Sequence, residues 1–518
     1  MAKTKNTPKQ KKTNTPYFIL FFISLSAFIL KYKGFPRGDS HPQLAIIYRA
    51  ANPSYFKNDF YVDAVSSFDV TTWFEKLVNF VNYPIQNYEI TYMLLLFFSM
   101  FAFALAFYKI MHLLTKNSGL SLFGTIIPLS IYTGRLGIGN AFELGNYLVP
   151  TNVAWAIAIW AIYLFLKEKY LVSFFVLGIA SLFHILLSPL IYGVLFFNLL
   201  LTKKFKPLLK SLSFFIPFSI VAIPLFFNSV KTTAANSLNF IYVYAAFRSP
   251  WHILPATWSI VEWSTFLIFL AFFLVIFYKF SKIDKKYKNI FETFLIAVLI
   301  YYLIGIIFVE LIPLKSIIKL QLFRITESLN VIEFIFVGEF FYLYLYSKLN
   351  KKIKLSIIIA VIILVISFLI LHPLSDRYHY DKETSELYSF IKANTPNDTL
   401  ILAPPYTESF RLGTMRSVVV DFKGVPFGEQ YLLEWYNRLL DITNHRPLDL
   451  TKESEFKINK LENSRRYDYL KEGYSSLTKE NIQNLKEKYG FSYVVFEKPS
   501  SLNLAILFQN DKYVLYKV

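Results

Sequence analysis

The sequence predicts a polytopic α-helical membrane protein of about eleven transmembrane helices followed by a soluble α/β domain. Three observations carry that prediction: 55% hydrophobic against 17% charged residues, long apolar runs separated by short lysine clusters, and an abrupt change to polar composition after Leu371. A chain this apolar holds more oily surface than a soluble core can bury, and lipid is the solvent that accepts the excess. The net charge of +19 does not point to nucleic acid, because the lysines form no single stripe on a soluble domain, so no nucleic-acid partner is expected. The absence of cysteine excludes disulfides, thiolate catalysis and cysteine metal sites.

In chain order, Lys3, Lys5, Lys9, Lys11 and Lys12 precede a first apolar run at 17–30. Leu30 continues directly into Lys31-Tyr32-Lys33 with no small-residue cleavage site, so the run reads as an uncleaved signal anchor. A long first outer loop, 31–88, follows. Further apolar runs lie at 90–108, 120–132, 148–166, 171–187, 190–201, 211–227, 260–278, 290–309, 325–346 and 355–371. The stretch 171–201 is divided at Ser188-Pro189, because about 30 apolar residues exceed one span and proline breaks a helix.

The lysines test this count. With the N-terminus cytoplasmic, Lys109 and Lys116, Lys167 and Lys169, Lys203 to Lys210, Lys279 to Lys288 and Lys348 to Lys354 all fall in loops on the inner side, as the positive-inside rule requires. Eleven spans then place the remainder outside. The expected organisation is a transmembrane domain, 1–371, and an extracytoplasmic α/β domain, 372–518, in a multi-pass protein of the cytoplasmic membrane. In the second part, helices at 385–393, 429–440 and 478–489 alternate with β-branched runs at 399–403, 417–421, 492–496 and 513–517, the pattern of a partly parallel sheet. The junctions after 403 and 421, including Asp421-Phe422-Lys423-Gly424, fall where such sheets present ligand loops.

This topology gathers polar residues on the outer side: Asp39, His41, Arg49, Asp59 and Asp63 in the first loop, Arg135 and Glu143 in the second, His184 near the end of its span, and Arg248, His252, Arg324 and Glu327 later. Carboxylates, histidines and arginines at one membrane face suit chemistry on a lipid-linked phosphate: arginine forks grip phosphate oxygens while a carboxylate takes a proton or holds a divalent cation. Simpler roles stand beside these. Asp39 suits an N-cap, Asp59 and Asp63 suit a solvated pair, and His184 suits a bond to a backbone carbonyl freed at the proline break. Glu333 is a carboxylate deep in a span, which marks it for function or for a hydrogen bond to a neighbouring helix.

The lysine-flanked first span, acidic first outer loop, many spans and C-terminal outer α/β domain together resemble the GT-C class of integral membrane glycosyltransferases. The chain is also similar to an uncharacterised prokaryotic family of polytopic membrane proteins. The residues carrying that likeness are Asp39-Ser40-His41-Pro42-Gln43, Asn52-Pro53, Asn58-Asp59-Phe60, Phe247-Arg248-Ser249-Pro250-Trp251-His252, Gln321-Leu322-Phe323-Arg324, Arg416 to Lys423 and Glu434-Trp435. The GT-C resemblance implies a membrane glycosyltransferase using a polyprenyl-phosphate-linked sugar at the outer face. It implies Asp39 as the catalytic carboxylate, a base or metal-organising group, though Ser40 stands where a second acid is common. Asp59 and Asp63 would be accessory acids, and Asp39 with Asp59 would hold any divalent cation. His41, His184, Arg248, His252 and Arg324 would bind lipid phosphate or substrate. The other expected contacts are membrane lipids. The alternatives are a transporter or flippase for a lipid-linked glycan, and a non-catalytic scaffold of the same fold.

Overall fold

A computed structural model describes residues 14–65, 68–131, 138–139, 144–231, 240–374, 379–444 and 463–518, the side chains of 463–466 excepted. Arg135, Glu143 and the lysines up to Lys12 lie outside the described residues. The protein is mostly helical, and each of the eleven apolar runs coincides with an apolar helix. Six are long and apolar enough to cross a membrane: Tyr88–Thr115, Phe205–Lys231, Ile260–Phe280, Lys285–Leu311, Lys315–Lys348 and Lys351–Leu371. The other five, Thr15–Lys31, Ser118–Ser130, Pro150–Leu166, Tyr170–Ala180 and Leu187–Leu201, have 10–17 residues. At 1.5 Å per residue these reach about 15–26 Å, short of a hydrocarbon core of about 30 Å. Among the described residues, helix length alone therefore supports six of the eleven as spans.

The long stretch 171–201 breaks at residues 181–186, not at Ser188-Pro189. Pro189 sits in the first turn of Leu187–Leu201, where its missing N–H would have had no helical partner anyway. His184 marks the break differently from expectation: its Nδ1 accepts the Leu187 amide at 3.2 Å, so the ring satisfies an orphan donor of the next helix and not a freed carbonyl. Glu333 is buried within Thr326–Tyr344, the most enclosed of the long helices. Lys351–Leu371, by contrast, is almost wholly exposed.

After Leu371 the chain builds a five-stranded sheet from β1 (Leu400–Leu402), β2 (Ser417–Val418), β3 (Tyr493–Glu497), β4 (Ala505–Gln509) and β5 (Tyr513–Lys517). The order is β2-β1-β3-β5-β4; β1 runs parallel to β2 and β3, while β5 is antiparallel to β3 and β4. Helices Lys382–Asn394, Glu429–Ile442 and Lys479–Tyr489 occupy the expected places; helix Asn463–Ser475 and β4 are additions. This unit is not tethered loosely. Phe247, from the segment before Ile260–Phe280, packs against Phe422, Trp435 and Tyr436 at ring separations of 5.8, 5.8 and 4.9 Å. Buried Glu429 accepts from Lys315 at 3.2 Å and Lys319 at 2.6 Å, tying the C-terminal unit to the segment that leads to Arg324.

Candidate functional site

The site begins where the first loop turns into helix Ser40–Ala51. Gly38 makes the turn at φ +54°, packed so closely under Tyr147 that a β-carbon would lie 2.5 Å from its hydroxyl. Ser40 takes the local hydrogen bond, its Oγ accepting from the Arg37 amide at 2.6 Å. Asp39 stands at the N-cap but caps nothing. Its carboxylate instead accepts from Lys423 Nζ at 3.1 Å, with its side chain 53% exposed. Burial among the surrounding protein pushes its carboxyl up, but Lys423, Arg248 and His252 together outweigh that and hold it below the usual carboxylate range, so Asp39 is ionised at neutral pH.

Four further residues of the sequence-derived set lie in or beside this neighbourhood. Arg248 closes the π-helical turn Tyr242–Arg248, its guanidinium over Phe422 at 5.3 Å and Trp251 at 5.9 Å, which orients the fork and leaves its donors available. His252 donates Nδ1–H to the Gly139 carbonyl at 2.7 Å. Burial, then Arg324 and Arg248, push its pKa down to about 3, so the ring is neutral. Arg324 lies close enough to be felt by both His252 and His184, and extends from the turn Leu322–Ile325. It is held by Glu327 at 3.3 Å and Gln321 at 3.3 Å. Glu327 is itself fixed by the Trp155 indole at 2.7 Å, and Gln321 donates to the Tyr244 hydroxyl at 2.8 Å. His41 lies behind Asp39, its Nδ1–H on the Gly38 carbonyl at 3.1 Å. Burial pushes it down to about 4.

The structure does not bring the three loop acids together. Asp59 is fully buried and accepts from Arg411 Nε at 2.8 Å, the Val418 amide at 3.0 Å and the Val62 amide at 3.2 Å. Arg411 also pairs with Asp421. The Arg411 and Val418 bonds join the first loop to the C-terminal unit. Asp63 pairs with Arg49 at 3.2 Å, ten residues and roughly 15 Å along the helix from Asp39. Among the described residues no three His, Cys, Asp or Glu side chains converge as a metal-binding group, and the Asp59 carboxylate is engaged by Arg411 and two amides.

Two residues absent from the sequence-derived set stand in the site instead. Lys423 follows β2, and Glu408 follows β1 with Oε1 3.8 Å from Lys423 Nζ. The signal for Lys423 was its place in the junction after a parallel strand; Glu408 lies just beyond the other such junction, the one after 403.

A family described as a domain of unknown function, DUF6798, matches residues 382–442, the stretch that contains Glu408, Arg411 and Lys423. None of the curated proteins compared matches the chain. Among solved structures it is similar to the archaeal oligosaccharyltransferase AglB from Archaeoglobus fulgidus in complex with an inhibitory peptide and a dolichol-phosphate, with a TM-score of 0.47 and 11% identity over 93% of this chain and 69% of that one. It is also similar to the Archaeoglobus fulgidus oligosaccharyltransferase tethered to an acceptor peptide, with a TM-score of 0.46 and 12% identity over 94% and 69%. Likeness of this degree carries no functional weight; the site's own residues do.

Proposed function

We propose that this chain is a GT-C-like membrane glycosyltransferase that takes a sugar from a polyprenyl-phosphate carrier at the outer face of the cytoplasmic membrane. The observation that supports it is the juxtaposition at Asp39: an ionised, half-open carboxylate that is spared from capping its helix, with Arg248 and neutral His252 near enough to act on the same ligand. An oriented guanidinium grips a lipid-linked phosphate. A fixed carboxylate beside it stabilises the positive charge that grows at the anomeric carbon as the phosphate leaves. Arg324 extends the grip, and the alternation of lysine clusters along the chain supports an outer placement of this face.

The test uses the full chain reconstituted with a labelled polyprenyl-phosphate sugar. Asp39→Asn keeps size and an acceptor oxygen but removes the charge. It should retain thermal stability and lose transfer by about 10²-fold or more. Arg324→Gln should act chiefly on donor binding, weakening it by about 1.5–3 kcal/mol. Wild-type turnover in both variants would remove Asp39 and Arg324 from the reaction; a wild type that moves the lipid-linked sugar without transferring it would be the flippase, and one that does neither would be the scaffold.

A further inference from the structure

The C-terminal sheet supplies groups to the site that neither the first loop nor the spans contain. β1 and β2 are parallel neighbours, so the loops after them open at the same edge, the carboxyl edge where open sheets hold ligands. Glu408 comes from the first of these loops and Lys423 from the second. One ammonium touches both carboxylates: Lys423 Nζ is 3.1 Å from Asp39 Oδ1 and 3.8 Å from Glu408 Oε1. A single lysine head therefore links the two carboxylates, whose nearer oxygens stand at most about 7 Å apart. Carboxylates that cooperate in glycosyl chemistry with a hydroxyl between them stand about 6.5–9.5 Å apart, and a gap bridged by one ammonium is of that order.

Resting on the glycosyltransferase reading, we infer that Glu408 is the second carboxylate of the reaction, the one that receives the proton of the acceptor hydroxyl. In that step the hydroxyl oxygen bonds to the anomeric carbon, and the anomeric carbon–oxygen bond to phosphate breaks with its electron pair leaving on the phosphate. The proton passes to a Glu408 oxygen. Asp39 stays ionised throughout and serves the charge on the sugar. Lys423 holds the two acids in register before substrate arrives.

The surroundings of the two acids divide these roles. Glu408 is 28% exposed and accepts from the Tyr467 hydroxyl at 3.3 Å. Burial raises its pKa, Lys423 lowers it, and Asp39 and Asp421 raise it again, with a net upward shift. Asp39 is shifted the other way. Paired acids whose environments push them apart are how one site separates a proton acceptor from a permanent charge.

The experiment compares Glu408→Gln and Glu408→Asp with wild type in the reconstituted transfer assay across pH, alongside donor binding and thermal melting. A base must be deprotonated to work, so wild-type kcat/KM should fall on the acid side with an apparent pKa above that of an ordinary glutamate. Glu408→Gln should lose transfer by about 10²-fold or more, lose the acid limb, and keep both melting temperature and donor affinity. Glu408→Asp should restore part of the rate with a displaced limb. Glu408→Gln with wild-type rate and wild-type acid limb, while Asp39→Asn abolishes transfer, would overturn the role of Glu408 and leave the glycosyltransferase standing. Loss of donor binding or of folding in both variants would make Glu408 a structural anchor for Lys423. A wild type that transfers no sugar would remove both readings together.

Discussion

Asp39 and Asp59 belong to one loop, and each reaches a basic residue of the C-terminal unit. Their fates differ because their surroundings do. Asp59 has no exposed surface, and Arg411 and two amides engage both its oxygens. Asp39 meets Lys423 through one oxygen and keeps half its side chain open. A buried carboxylate with all its partners in the protein is a fastener; a half-open one in a cationic field can exchange its partner for a ligand. Acidity in the loop is common to both, and burial assigns the work.

The sharpest way to break this contrast is at Arg411, whose charge is sandwiched between Asp59 and Asp421. Arg411→Met leaves buried carboxylates uncompensated and should cost about 3–5 kcal/mol, read as a large fall in melting temperature in detergent. Lys423→Met removes the partner of a half-open acid and should cost no more than about 1 kcal/mol. Equal costs would erase the distinction between fastener and site. A double-mutant cycle with Asp59→Asn should recover part of the Arg411 loss.

Acid pH sharpens the comparison less strongly. His41 and His252 have folded pKa values of about 4 and about 3 against 6.5, so the unfolded chain binds their protons first. The stability their neutral rings contribute is complete above about pH 6.5 and is lost as pH falls toward 4 and then 3. His41 faces Lys423, Asp421 and Asp39; His252 faces Arg324, Arg248 and Asp39. Melting measured from pH 7 to 4 should therefore fall by up to about 1 kcal/mol per pH unit for each ring, and His41→Gln should flatten the curve. An unchanged slope would show that the ring is not held neutral. The smallest effect belongs to Asp63. Its pair with Arg49 is partly solvated, and Asp63→Asn should change stability by less than about 1 kcal/mol with transfer unaffected. A loss of transfer would restore it to the catalytic set.

How much of this was legible in the sequence follows from what each feature depends on. Apolar helices must be apolar along their length, so all eleven runs could be read. Their lengths could not, because helices such as Tyr170–Ala180 end in turns whose residues are as apolar as the helix. Pro189 misled because proline terminates a helix or begins one, and composition does not say which. In the C-terminal unit, alternation found most of the sheet. It missed β4, an exposed edge with no buried face to impose a period, and Asn463–Ser475, whose polar residues blur the apolar stripe. At the site, Asp39, Arg248, His252 and Arg324 could be gathered by the expected membrane side alone. That Arg411 claims Asp59, or that Glu408 arrives beside Lys423, depends on contacts between residues more than 350 positions apart in the first case, and on the packing of two loops in the second.

Phe247 carries a consequence for how the molecule comes into being. The ribosome makes its ring long before it makes Phe422, Trp435 and Tyr436, the three that enclose it. Chains are synthesised from the N-terminus and early parts fold first, so for much of synthesis this aromatic ring waits beside an unfilled socket, with the neighbouring Arg248 not yet seated on Phe422. A chain truncated between residues 372 and 421 would keep every apolar helix and still lack all three rings that close on Phe247.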